Sequence, residues 1–117
     1  MTKPFFVLLL AASWCFQVHA EAADEFAKGK ALYATNCVTC HGEKFDGQGA
    51  AGKYLSPKPR NLISEKFKNG DTQTAISATI KNGLDGTQMV PFGKPKGALT
   101  DDECNALAAF IVSLRKT

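Results

Sequence analysis

The chain has 117 residues, a net charge of +3, 44% hydrophobic residues and four cysteines. That is room for one small domain, and the near-balanced charge excludes the strong basic excess of a nucleic-acid binder. A domain of this size buries a modest core and leans on disulfides, metals or cofactors.

The first segment has the order of a secretory signal. Met1-Thr2-Lys3 carries a positive charge, residues 5–16 are apolar apart from Ser13, and Val18-His19-Ala20 closes the run with small residues at the first and third places. The rival reading is a membrane anchor, but twelve residues fall short of the roughly twenty that span a bilayer. The bulky Trp14 before Cys15 argues against lipoprotein processing. The expected division is a signal peptide over residues 1–20 and one domain over residues 21–117. Without the signal, 97 residues with a charge of +2 remain in the periplasm, with no stable membrane insertion. Cysteines exported there tend to be oxidised unless otherwise occupied.

The first helix is expected from an N-cap at Asp24 to about Asn36 or a turn beyond, with Phe26, Lys30, Tyr33 and Cys37 at helical spacing. Residues 42–59 hold four glycines (Gly42, Gly47, Gly49, Gly52) with Pro57 and Pro59, which predicts loop. A second helix is predicted from about Thr72 to Asn82. Asp71 is its expected cap, Ala75, Ile76, Thr79 and Ile80 form one face, and Gly83 is the stop. Residues 84–99 are again rich in Gly and Pro. The last helix starts at Thr100-Asp101-Asp102-Glu103, a capping box with an acidic first turn. Behind it, Cys104, Leu107, Ala108, Ile111 and Leu114 make an apolar stripe, with Phe110 beside it. Nothing alternates like a strand, so the domain reads as all-α, with three to four helices and long loops. Loops of that length need something to fill the centre, and a large apolar cofactor would do so.

Cys37-Val38-Thr39-Cys40-His41 is the C-x-x-C-H pattern of haem c attachment. On a helical turn, residues three and four apart share a side. Both sulfurs can then bond the two vinyl groups of one haem while His41 Nε2 reaches the iron. A thioredoxin-like pair would follow a strand, and here it closes a helix. A zinc site needs a fourth ligand, and beyond the signal only Cys104 remains as another Cys or His. A plain Cys37–Cys40 disulfide would leave the loops unsupported.

The sixth ligand follows largely by elimination. His19 and Met1 leave with the signal, so Met89 is the one methionine left. It sits in a polar loop flanked by Gly86 and Pro91, a poor place for core filler. Met/His ligation raises the iron's potential and leaves no open coordination site, which suits electron transfer. Cys104, on the apolar stripe, reads as an inert buried thiol, with an intermolecular disulfide as the other reading.

With these residues in hand, the chain resembles a class I c-type cytochrome of the small bacterial monohaem kind. The resemblance rests on Gly29-Lys30-Ala31-Leu32-Tyr33, Cys37-Val38-Thr39-Cys40-His41-Gly42, Pro57-Lys58-Pro59-Arg60-Asn61-Leu62, Met89 with Pro91 and Phe92, and Leu107-Ala108-Ala109-Phe110-Ile111. It spans nearly all of residues 21–117. It implies the small cytochrome c fold around one covalent haem, with the first and last helices crossing at Gly29 and with Tyr33, Leu107 and Phe110 packed there. It also implies that a proline carbonyl accepts a hydrogen bond from His41 Nδ1, with Pro59 the first choice and Pro57 the second. Val90 stands between Met89 and Pro91, where many relatives place the proline next to the methionine. No Trp remains beyond the signal to meet a haem propionate, and Arg60 or Tyr54 is the candidate, against a merely solvated Arg60.

The implied function is a periplasmic electron carrier, a monomer that moves one electron at a time between redox partner proteins. The alternative is a haem c subunit dedicated to one dehydrogenase or reductase complex. No carboxylate pair, nucleophile triad or phosphate loop supports separate catalysis. Lys44, Lys53, Lys94 and Lys96 read either as a weakly basic rim of the exposed haem edge or as lysines that simply keep a small protein soluble, with Asp101, Asp102 and Glu103 clustered at the start of the last helix.

Overall fold

In a computed structural model, which describes residues 1–5 and 14–116, the helices follow one another as α1 (Trp14–Asn36), α2 (Val38–His41), α3 (Gln73–Asn82) and α4 (Asp101–Leu114). A 3₁₀ turn (Gly52–Tyr54) interrupts the loop between α2 and α3. Among the described residues there is no strand, only an isolated bridge between Gly93 and Leu99. No described helix is long and apolar enough to cross a membrane. Residues 6–13, the centre of the expected signal, lie outside the described residues.

α1 begins earlier than its sequence suggests. Asp24 lies inside the helix rather than capping it. The reason is local. Residues 14–23 hold no Gly or Pro and are rich in Ala, so nothing stops the helix before Asp24. Its C-terminal end agrees with expectation, and the Cys37 N–H still donates to the Tyr33 carbonyl at 2.9 Å before α2 starts.

α3 is capped one residue later than predicted. Thr72 is extended (φ −75°, ψ 156°), and its Oγ1 accepts from the Ala75 N–H at 3.1 Å. Asp71 is engaged elsewhere: its Oδ1 accepts from the Phe67 N–H at 2.8 Å. Ile76 and Ile80 form the buried face, and Gly83 ends the helix.

α4 starts as its sequence dictates. Thr100 Oγ1 accepts from the Glu103 N–H at 3.2 Å, and Glu103 Oε2 accepts from the Thr100 N–H at 2.8 Å. That exchange holds the Glu103 carboxyl below its usual range. Its apolar stripe buries Cys104, Leu107, Phe110 and Ile111.

α1 crosses α4 at Gly29. A Cβ there would meet the Ala106 carbonyl and lie 2.7 Å from Phe110 Cβ, so only glycine lets the backbones approach. Tyr33, Phe45 and Phe110 pack around the crossing, with ring centroids 4.9 to 5.9 Å apart. Leu107 is fully buried there, which stabilises the fold by about 1.5–3 kcal/mol. The Tyr33 hydroxyl donates to the Gly42 carbonyl at 2.6 Å and ties the crossing to the residue after the motif. Burial, then the neighbouring Cys37 and Asp46, push this phenol well above its ordinary value.

Candidate functional site

The motif is held by the loop that follows it. Gly47, Gly49 and Ala51 donate backbone N–H bonds of 2.8 to 3.1 Å to the carbonyls of His41, Cys40 and Thr39. Those carbonyls sit at the end of α2 and would otherwise lack partners. The close fit requires a bare backbone at Gly52, where a Cβ would collide with the Cys40 carbonyl.

Cys37 and Cys40 are both half-buried. Burial, with Cys40 as its neighbour, pushes the Cys37 thiol up to about 12. His41 Nδ1 lies 3.1 Å from the Arg60 carbonyl. A carbonyl can only accept, so the proton belongs on Nδ1 and the Nε2 lone pair is left free. Burial lowers the pKa of His41, partly countered by that hydrogen bond, so the neutral ring is favoured.

The acceptor is a correction to the expected Pro59. The register of the 59–62 stretch explains it. The Leu62 N–H donates to the Phe45 carbonyl at 2.8 Å, and the Pro59 carbonyl packs against Gly47. The Arg60 carbonyl is thereby the one that faces the ring. Pro59 and Pro57 instead line the cavity wall.

The methionine loop is tied to the end of α3. The Phe92 and Gly93 N–H groups donate to the Ile80 and Lys81 carbonyls at 3.0 and 3.2 Å. Within the loop, the Leu84 N–H donates to the Met89 carbonyl at 2.9 Å, and Thr87 Oγ1 accepts from the Met89 N–H at 3.1 Å. Met89 is partly buried and packs against the core.

These segments enclose one cavity with two lobes. The outer lobe, about 560 Å³, is bordered by Cys37, Cys40, His41, Pro59, Arg60 and Met89, all expected from sequence. The inner lobe, about 80 Å³, is lined by Leu62, Phe67, Ile76, Ile80, Leu84 and Ile111 and shares Cys37, His41 and Met89 with the outer one. Tyr54 is 80% exposed and borders neither lobe. Arg60 pairs with Glu65 at 3.4 Å with both side chains about half exposed, a weak interaction by itself. Among the basic side chains, Lys58, Arg60 and Lys68 line the cavity, and Lys44, Lys53, Lys94 and Lys96 do not. Lys94 lies instead near Glu103, and Lys53 Nζ sits 5.2 Å over the Tyr54 ring.

A second groove of about 560 Å³ lies between the first halves of α1 and α4, lined by Glu21, Asp24, Glu25, Lys28 and Asp102. It is open and charged and holds none of the motif residues.

The donor set decides what the two-lobed cavity fits. It offers two thiols on one helical turn, an imidazole with a free Nε2 and a thioether, all facing an apolar space. The outer lobe falls within the roughly 300–1,000 Å³ of pockets that bury small-molecule ligands. Haem c needs each of these features. The comparisons agree: residues 26–115 match the cytochrome c family model.

The chain belongs to the cytochrome c family.

Its cofactor is covalently bound haem c with its iron, and its fold is the small class I cytochrome c fold. It is 33% identical to cytochrome c-554(547) of Halothiobacillus neapolitanus over 100 residues, 80% of this chain and all of that protein. It is 30% identical to the Cbb3-type cytochrome c oxidase subunit CcoP of Azospirillum brasilense over 88% of this chain. It is 33% identical to the thiosulfate dehydrogenase of Stutzerimonas stutzeri over 76% of this chain. The cytochrome c chain spans only 34% of that oxidase subunit and 27% of that dehydrogenase. A solved chain of the Kuenenia stuttgartiensis reducing HAO-like protein complex superposes with a TM-score of 0.67 at 27% identity, covering 76% of this cytochrome and 42% of that chain.

Sequence reasoning missed much of the cavity wall. Ile76 and Ile80 were visible as a helical face. Phe67, Lys68 and Asn69 sit in a loop with no periodicity, and no local signal points them at the cavity.

Proposed function

We propose that this cytochrome is a periplasmic single-haem electron carrier that moves one electron at a time between redox partner proteins. The observation that carries the reading is the convergence of Cys37, Cys40, His41 and Met89 on one cavity. Cys37 and Cys40 hold the haem. Their two sulfurs would tether the group to one helical turn. His41 Nε2 and Met89 Sδ would hold the iron, with the Arg60 carbonyl fixing the His41 ring. The bound group supplies a one-electron iron couple, and the Met/His pair sets it at high potential with no open site. Ile76, Ile80 and Leu62 keep water from it, while Pro59 and Arg60 border its mouth. Residues 1–20 act as a cleaved signal, and the exported domain of residues 21–117 is a monomer.

Cytochrome c-554(547), matched over its whole length, supports a free carrier. The matches to the oxidase subunit and the dehydrogenase support the second reading, a haem c subunit of one enzyme complex. Mass spectrometry of protein from its native periplasm is expected to show one haem on a chain starting at Glu21, retained through acid-solvent extraction. Haem that extracts freely would overturn the assignment. Elution as a free small protein favours the carrier, whereas stable co-elution with an oxidoreductase favours the subunit.

A further inference from the structure

One cationic side chain is taken up by neither the haem ligation nor the rim. Arg115 follows the last turn of α4, and its side chain is 16% exposed. None of its guanidinium contacts is to its own helix. Nη1 donates to the Leu62 carbonyl at 2.7 Å, and Nη2 donates to the Glu65 carbonyl at 2.8 Å. Nη2 also lies 3.5 Å from Asp71 Oδ2, and the guanidinium carbon sits 4.2 Å from the centroid of the Phe67 ring. Asp71 closes the set by accepting the Phe67 N–H through its other oxygen.

All four partners belong to residues 62–71, the loop that supplies Leu62, Phe67, Lys68 and Asn69 to the inner lobe of the cavity. Beyond the core packing of Leu62 and Phe67, the loop has few other ties. Its remaining bonds are short-range turns around Asn61 and Phe67, the Leu62 N–H to Phe45, and the half-exposed pair of Arg60 with Glu65. Only arginine offers a planar fork that can bond two carbonyls, face a carboxylate and stack on a ring at once. α4 also places Ile111 on the same inner lobe, so the clamp joins two parts of one wall.

We propose that Arg115 is a positioning residue for the haem: it clamps the 62–71 loop shut as the inner wall of the cavity and so keeps water from that side of the cofactor. The proposal rests on the cavity being the haem seat. Opening the wall lets water solvate the more highly charged ferric state, so the reduction potential falls. The test is amide hydrogen exchange and potentiometry on the haem-loaded protein. In Arg115→Ala, the Phe67 and Gly70 amides are expected to exchange roughly tenfold or more faster. The Phe92 amide, bonded to Ile80 on α3, the wall that Arg115 does not touch, is expected to keep its rate, and the potential to drop. Arg115→Lys keeps the charge and the aliphatic stem, and it is expected to shift both readouts the same way by less. Asp71→Asn preserves an acceptor for Phe67 and gives a third reading should Arg115→Ala fail to accumulate. Exchange raised equally on both walls would overturn the proposal, because it marks general destabilisation. So would an unmoved potential with unmoved loop amides. Haem that extracts from the parent protein would overturn the haem seat itself, whereas retained haem with an unmoved loop overturns the role of Arg115 alone.

Discussion

Where α1 crosses α4, side chains make the structure: Gly29 lies on the Ala106 backbone, and Tyr33, Phe45, Phe110 and Leu107 close the space around it. Around the cavity the backbone does this instead. The loops after α2 and α3 hang on helix carbonyls through N–H bonds, and their side chains converge on a volume that the polypeptide does not fill. The crossing is therefore complete as polypeptide, whereas the cavity half needs its cofactor to bury its apolar walls. Changes at the crossing should cost stability with little effect on the iron, and changes at the cavity should do the reverse.

Met89→Ala tests the second half of that statement and carries the largest expected effect. The far-red sulfur-to-ferric charge-transfer band should disappear, the potential should fall and external ligands should bind quickly. Persistence of the band would assign the sixth ligand to another group. Gly29→Ala tests the first half. The added Cβ meets backbone as well as Phe110, and overpacking of this kind costs about 1–3 kcal/mol or more. Thermal melting of the haem-loaded protein should show that loss with an unchanged potential, and a shifted potential would mean the two regions are coupled.

How much of this was legible in sequence depends on distance along the chain. The Thr100–Glu103 capping box, Gly83 as a stop and the C-x-x-C-H turn are local, and each stands where its residues put it. Met89 as a cavity residue was legible because only one methionine follows the expected signal. Where neighbouring residues offer equivalent groups, sequence does not choose between them. Asp71 and Thr72 can both cap a helix, and Pro59 and Arg60 both carry carbonyls; a contact far along the chain decides each case. Arg115 is the extreme example, since its bonds reach back 50 and 53 residues.

A smaller effect sharpens the comparison at the N-terminus of α4. Thr100→Ala removes the cap and should cost about 1 kcal/mol. Glu103 adds a pH signature, because its folded pKa is held below the unfolded value by the Thr100 N–H. Its contribution is complete above the unfolded carboxylate value, about 4.3, and is lost as pH falls through the lower folded value. Acid melts of Glu103→Gln, which removes the titrating carboxyl, should therefore show a shallower loss over that window, and parallel curves would remove Glu103 from the account.

The smallest expected effect concerns partners. With Lys58 and Lys68 at the mouth, electron transfer to an acidic partner should slow as ionic strength rises, since screening acts over about 8 Å at physiological salt. Lys58→Glu should slow association a few-fold in low salt and leave the potential alone. Rates indifferent to both would leave these lysines as solvated surface.

Cys104 has a use that its packing alone does not suggest. Beyond the expected signal the chain has three cysteines, and two are the proposed haem attachments, Cys37 and Cys40. The third has no exposed surface, and burial, then Asp101, raise its thiol pKa. An alkylating reagent can reach it only when α4 lifts from its neighbours. Labelling of the native protein thus runs as an internal clock for that opening, with no probe to install.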